Sequence, residues 1–146
     1  QSFAGRAKGF LEELRKAGLE PRREWMITPH LDPDAVRQAL VPILDRSERP
    51  TAIFAGNDRL ALVVLQEAQK RGLAVPKDLS VIGVDGLIES ELAIPALTTI
   101  SMPWADMGRL AVDLIAQYAV CPHINSATLT LDVSLIERES TAPPGG

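Results

Sequence analysis

Polar side chains that could do chemistry stand directly behind two apolar runs of this 146-residue chain. Asn57 and Asp58 follow Thr51-Ala-Ile-Phe-Ala55, and Asp85 follows Ser80-Val-Ile-Gly-Val84. A carboxylate accepts several hydrogen bonds and an amide both donates and accepts, so such a set can hold a polyhydroxylated ligand. Each residue also has a structural explanation. Asp58 before Arg59 fits a helix N-cap, and Asp85 before Gly86 fits a turn. Asn57 is less readily explained by capping. Asp58 and Asp85 could be argued as a general acid/base pair, yet both have an adequate non-catalytic explanation. The chain has no nucleophile elbow, no G-x-G-x-x-G and no P-loop. We therefore expect a binding protein rather than an enzyme, with no cofactor. His30 and His123 stand in different loops without metal-pair spacing and read as surface histidines. Cys121 has no partner for an internal disulfide, and no Cys/His cluster suits zinc.

Composition narrows the classes further. Hydrophobic residues make up 46% of the chain and charged residues 23%, which fits a folded globular protein and not a disordered one. Ten glycines and eleven prolines lie near the ordinary background, so collagen-like readings fall away. The longest apolar run, Leu60–Leu65, is far short of the roughly 18 residues of a membrane span, so no membrane partner is expected. A net charge of −4 gives no basic surface for direct contact with nucleic acid.

The elements that must position these residues follow from periodicity. Ala7, Phe10, Leu11, Leu14 and Ala17 form one helical stripe, stopped by Gly18 and Pro21. Glu24–Thr28 is a short strand candidate. Asp32-Pro33 starts a second helix with Val36, Ala39, Leu40, Ile43 and Leu44 on one face, and Pro42 should kink or shorten it. Thr51–Ala55 and Ser80–Val84 lack alternation, as strands of a parallel sheet covered on both faces do. Between them Asn57-Asp58 caps a helix over Arg59–Arg71. Its segment Leu60–Leu65 is apolar all round, which calls for burial on both sides, the second side by another copy of the molecule or by deep burial within a complete parent protein. A long loop leads to Leu97-Thr-Thr-Ile100. A helix after Pro103 puts Met107, Leu110, Ala111, Leu114, Ile115 and Tyr118 on one face. Ala127, Leu129, Leu131, Val133 and Leu135 alternate as a half-exposed strand. Alternating strands and helices give an α/β class with a mostly parallel sheet, whose ligands bind at the carboxyl ends of the strands. The first element is a helix with no strand before it, so the expectation is a part of a longer protein.

These motifs resemble the C-terminal part of the effector-binding region of LacI/GalR-type transcription regulators. Arg6-Ala-Lys-Gly9-Phe10 matches R-x-x-G-F, and Arg49-Pro-Thr-Ala-Ile-Phe-Ala-Gly-Asn-Asp58 matches R-P-T-A-x-x-x-x-N-D. Gly72-Leu-Ala-Val-Pro-Lys-Asp-Leu-Ser-Val-Ile-Gly-Val-Asp85 matches G-L-x-V-P-x-D-[VIL]-S-V-x-G-F-D. Pro95–Ile100 matches P-x-L-T-T-[VI], while Gly108–Ala111 and Arg138–Thr141 complete the series. Any one is weak; all of them in order and spacing are specific.

The resemblance implies a periplasmic-binding-protein-like fold of two α/β subdomains with the effector between them. It assigns effector contacts to Arg6, Asn57 and Asp85, with Trp104 at the crossing between subdomains. Residues 1–100 would form the C-terminal subdomain, 101–132 would cross to an N-terminal subdomain absent from this chain, and 133–146 would return. The helix over 106–119 then lacks its usual sheet, and its apolar face would be covered by swapping between copies or by non-native packing. The implied partners are a small polar effector, a sugar or a related metabolite, and a second copy docked through Arg59–Arg71 and the 87–95 loop. DNA would be bound only through a headpiece that this chain does not contain, in the cytoplasm. The effector would change the angle between subdomains and so the fit of paired headpieces to DNA. Two positions depart from the family pattern. Gly83-Val-Asp-Gly86 lacks the second carboxylate of G-F-D-D. Pro29-His-Leu31 places Leu31 where the family carries an aromatic that stacks on a sugar or base, and a saturated side chain has no π-face. The other reading of the same pattern is an extracytoplasmic solute-binding protein of a transport system.

Overall fold

The computed structural model describes residues 3–27, 32–120 and 128–143. The expected α/β class is what forms, as a four-stranded sheet in the order β1-β2-β3-β4. Strands β1 (Ala52–Phe54), β2 (Ser80–Asp85) and β3 (Thr98–Ser101) run parallel, and β4 (Ser134–Ile136) pairs antiparallel with β3. Helices α1 (Phe3–Lys16), α2 (Pro33–Leu44), α3 (Asp58–Lys70), α4 (Ile88–Leu92) and α5 (Trp104–Val120), with a short 3-10 turn at Arg23–Trp25, complete the described elements.

Local signals explain most boundaries. Asp32 caps α2 by accepting from the backbone N–H groups of Asp34 and Ala35, with Pro33 at the first helical position. Pro42, with its ring exposed, does not end the apolar face, since α2 runs on to Leu44 and Ile43 and Leu44 are buried beyond it. Val36, Leu40, Ile43 and Leu44 are buried as the periodicity requires. The expected strand over Glu24–Thr28 does not form in its described part: Arg23–Trp25 is a 3-10 turn, and of that segment only Ile27 reaches the core. The alternation over Ala127–Leu135 yields a strand only at Ser134–Ile136, where β3 offers a partner, and 128–133 is irregular.

The core lies between α2, α3 and one face of the sheet, where Leu40, Ala61, Val64, Ala68, Leu79, Val81 and Leu97 meet. Ile53 joins this cluster, so its neighbour Phe54 points to the other face, where it stacks on Phe10 of α1 with ring centroids 5.1 Å apart. Leu60, Val63, Val64 and Leu65 are all buried within this one chain. Most of the apolar circumference of α3 is thus met by the sheet and α2, with Leu62 half-buried, so its burial does not by itself require a second copy. By contrast, none of α5 is buried, and Val112, Ile115 and Tyr118 stay exposed.

The C-terminal stretch locks the sheet. Ser140 is fully buried; its hydroxyl donates to the Val81 carbonyl at 2.6 Å and accepts from the Thr98 N–H at 2.8 Å. Its carbonyl accepts from the Val81 N–H at 2.8 Å.

Candidate functional site

The carboxyl ends of β1 and β2 lie side by side, and Arg6 of α1 joins them. Its guanidinium donates to the Gly56 carbonyl just after β1 and, at 3.2 Å, to Oδ1 of Asp85, the last residue of β2. Both side chains are largely shielded from solvent, at 16% and 19% exposure. Phe3 covers the same corner. The Arg6 guanidinium stands 5.6 Å from its ring centre, and a Cβ on Gly56 would lie 2.6 Å from the ring. Glycine at 56 is what lets the ring approach the strand end.

Asp85 is held in a conformation that costs energy. Its φ is +129°, outside the regions an L-residue ordinarily adopts, and such backbone strain is of order 1–3 kcal/mol. Its carbonyl accepts the Trp104 indole N–H at 2.8 Å, while the exposed ring leads into α5. Gly86, at φ +72°, packs so closely on Ser101 that a side chain would collide with it. Burial pushes the Asp85 carboxyl above its ordinary pKa, and the Asp58 charge adds to this, while Arg6 and Arg59 oppose it. The protein thus presents a desolvated carboxylate partly balanced by one arginine, a group that gains from ligand hydrogen-bond donors.

The roles of Asn57 and Asp58 are the reverse of those expected. Asn57 is the N-cap of α3, its Oδ1 accepting from the Leu60 N–H at 2.8 Å. Asp58 is the first helical residue and fully buried, accepting from the Leu87 N–H, the Ser90 hydroxyl and the Thr99 hydroxyl. Capping chemistry alone cannot tell which of two adjacent polar residues caps; the donors that decide it come from β3, the loop after β2 and α4. With three donors on its two oxygens, Asp58 is not available as a catalytic acid or base. Arg6, Asp85 and Trp104 are thus brought together, with Asn57 next to Gly56. Leu31, His30, Cys121 and His123 lie outside the described residues. Phe3 and Ser90 carry no motif that would single them out, and Thr99 stands within the P-x-L-T-T-[VI] match without any sign there of its contact with Asp58.

Comparison with known proteins agrees with this geometry. A periplasmic binding protein-like domain matches residues 1–141. The HTH-type transcriptional repressor PurR of Edwardsiella ictaluri is 35% identical over 138 residues, which is 94% of this chain and 40% of that protein. The chain therefore spans about 40% of the length of the curated relatives it matches. A LacI-type transcription regulator from Bifidobacterium animalis superposes with a TM-score of 0.82 at 33% identity, covering 94% of this chain and 50% of that one. A LacI family regulator from Enterococcus faecalis, solved with bound ribose, gives 0.82 at 31% identity, covering 98% and 51%. With its fold, its motifs and these relatives in agreement, the chain belongs to the periplasmic binding protein-like domain family, and it is similar to about half the length of these solved LacI-type regulators.

Proposed function

We propose that this chain is the effector-binding and dimerisation part of a LacI-type DNA-binding regulator. Arg6, Asn57 and Asp85 would hold a small polar metabolite, sugar-like or related, with Trp104 and Leu31 at its edges. The observation that carries this is the Arg6 bridge between the ends of β1 and β2, beside the strained and desolvated Asp85. Strain of that kind persists where surrounding structure over-determines it, and ligand clamps are such places. Residues 1–100 act as one subdomain of the cleft, 101–132 cross to a second α/β half, and 133–146 return. The exposed apolar face of α5 would seat that second half, and operator DNA would be contacted by a separate helix-turn-helix headpiece of a cytoplasmic parent protein. A transport protein loses support, because the named relatives are regulators.

The test is calorimetric titration of the chain with D-ribose, cellobiose, adenine and hypoxanthine at millimolar concentrations. At least one should bind, and Arg6→Ala or Asp85→Ala should weaken it about tenfold or more, equivalent to about 1.4 kcal/mol. Affinity should also fall with pH as Asp85 takes up its proton, since the protonated acid accepts fewer donors. Binding that survives both substitutions would overturn the site assignment.

For the dimer, the supporting surface is the 87–95 segment, where Ile88, Leu92 and Ile94 are 64%, 74% and 93% exposed. The exposed positions of α3, such as Arg59, Gln66 and Gln69, would make its polar rim. Sedimentation at tens of micromolar should report association that Leu92→Asp with Ile94→Asp weakens about tenfold or more. If Ile115→Asp on α5 dissociates the copies instead, the dimer does not use the 87–95 segment. A monodisperse wild-type monomer would overturn both surfaces.

A further inference from the structure

We infer that Asp58 and Thr99, neither of which can reach a ligand, are the positioning residues of the site and set the direction of the Asp85 carboxylate. The inference rests on the effector reading above for its purpose, but not for its geometry. The two residues after Asp85 fix the path of the backbone leaving it, and both are pinned through their backbone N–H groups. The Gly86 N–H donates to the Thr99 hydroxyl at 3.3 Å, and the Leu87 N–H donates to Oδ2 of Asp58 at 2.8 Å. Thr99 has a single hydroxyl hydrogen and spends it on Oδ1 of Asp58, which leaves its lone pairs facing Gly86. The hydrogen bonds therefore run one way, from Gly86 through Thr99 into the buried carboxylate. Ser90 adds a third donor to Asp58, at 2.7 Å on Oδ2.

Residue type at each position is tightly specified by this arrangement. Only a carboxylate can accept from all three donors; an asparagine would turn an N–H group toward at least one of them. Asp58 stands in the first turn of α3, where the helix dipole favours a negative charge. Gly83 of β2 has no side chain, and any Cβ there would fall on Oδ1 of Asp58. On its other side Asp85 is fixed by Trp104 and by the Met102 N–H, both donating to its carbonyl. With its carbonyl and the next two amides tied, Asp85 is held at its strained φ before any ligand arrives. That is preorganisation: the ordering that a ligand would otherwise have to impose is already done.

A merely structural role for Thr99 would change stability and nothing else, so the readout is the titration of the Asp85 carboxyl, followed by carbon-detected NMR of the ligand-free chain. The charges facing Asp85 are Arg6 of α1 and Asp58 and Arg59 of α3. Thr99→Val keeps all three charged groups in place and nearly keeps the side-chain volume, while removing one of the three donors to Asp58. It should release the turn, admit water and lower the Asp85 midpoint by about half a pH unit or more toward the ordinary carboxylate value. Thr99→Ser keeps the hydroxyl and should keep the wild-type midpoint. An unchanged midpoint in Thr99→Val, or equal shifts in both variants, overturns the inference. Should Thr99→Val fail to fold, the wild-type chain decides alone: the Gly86 and Leu87 amides and the Thr99 hydroxyl proton should exchange slowly. Exchange of the Gly86 amide at the rate of a free loop would overturn it equally. Because no ligand is present, these results stand whether or not D-ribose or any other probe binds.

Discussion

Gly83→Ala is expected to cost the chain about 3 kcal/mol, roughly 10 °C in Tm, although it adds a single methyl group. The added Cβ would fall on Oδ1 of Asp58, 3.1 Å from the Leu97 side chain and 3.2 Å from the Asp58 Cα. The carboxylate cannot swing away, because three donors hold it, and the Asp58 backbone is already part of α3. Nor can Leu97 yield, since it is fully buried. The substitution thus combines overpacking, worth about 1–3 kcal/mol, with partial loss of buried hydrogen bonds at about 1–3 kcal/mol each when left unmade. Urea unfolding should show a lower midpoint with an unchanged slope. The internal control is Gly9→Ala in α1, where an added Cβ meets nothing within 4 Å and the helix should gain about 0.5–1 kcal/mol. If both substitutions behave alike, the close approach of β2 to Asp58 is not the cause.

Glu67→Gln should be the second large loss, about 2–3 kcal/mol at neutral pH, and it should vanish in acid. Glu67 is buried on α3, yet it is charged and paired: Lys70 donates to Oε1 at 2.7 Å and Arg71 to Oε2 at 2.6 Å. Arg71 also reaches Asp45 at the end of α2, and Arg37 of α2 stands 3.7 Å from the same Glu67 carboxylate. The network therefore ties α2 to α3 above the core. Breaking a buried pair from one side costs about 3–5 kcal/mol; the exposure of Lys70 lowers that here. The hydrogen bonds from Lys70 and then Arg71 hold the Glu67 carboxyl below its ordinary range, against the opposing effect of burial. A folded-state pKa below the unfolded one means that the contribution is complete above about pH 4.5 and is lost as pH falls through the folded value. Urea midpoints of wild type and Glu67→Gln should therefore differ at neutral pH and converge only as the pH falls below the ordinary carboxylate range, through the lowered folded-state value. A difference that persists in acid would mean that the charge is not the source.

Much of this architecture is legible in the residues. Asp32-Pro33 announces α2, the apolar runs after Pro50 and Asp78 announce β1 and β2, and the stripe from Ala7 to Leu14 announces the half-buried face of α1. These signals are local, and local physics suffices to read them. What escapes is settled by distant partners. Adjacent Asn57 and Asp58 are chemically interchangeable as caps until Ser90 and Thr99 are brought to one of them. Glu67 looks like an ordinary surface residue of α3 until α2 closes over it. The apolar circumference of Leu60–Leu65 looked like a demand for a second molecule, yet the sheet and α2 meet most of it. Asp85 was visible as a strand-end carboxylate, whereas Arg6 entered only through likeness to a known family, because nothing in its spacing points across to β2. The strain at Asp85 and the approach of Phe3 to Gly56 leave no mark in composition or periodicity at all.

The locking of the sheet by Ser140 has a kinetic consequence. It joins Val81 and Thr98 to a residue 59 and 42 positions further along, and the Ser80 hydroxyl meets Ala142 across 62. Contacts of such separation must repay loop-closure entropy before they reward it, so they form late. Until the 134–142 segment arrives, β3 is an open edge and the amides at the start of β2 and β3 lack partners, the condition in which chains pair with one another instead. The rate at which that last segment docks sets how long the growing molecule remains exposed to aggregation.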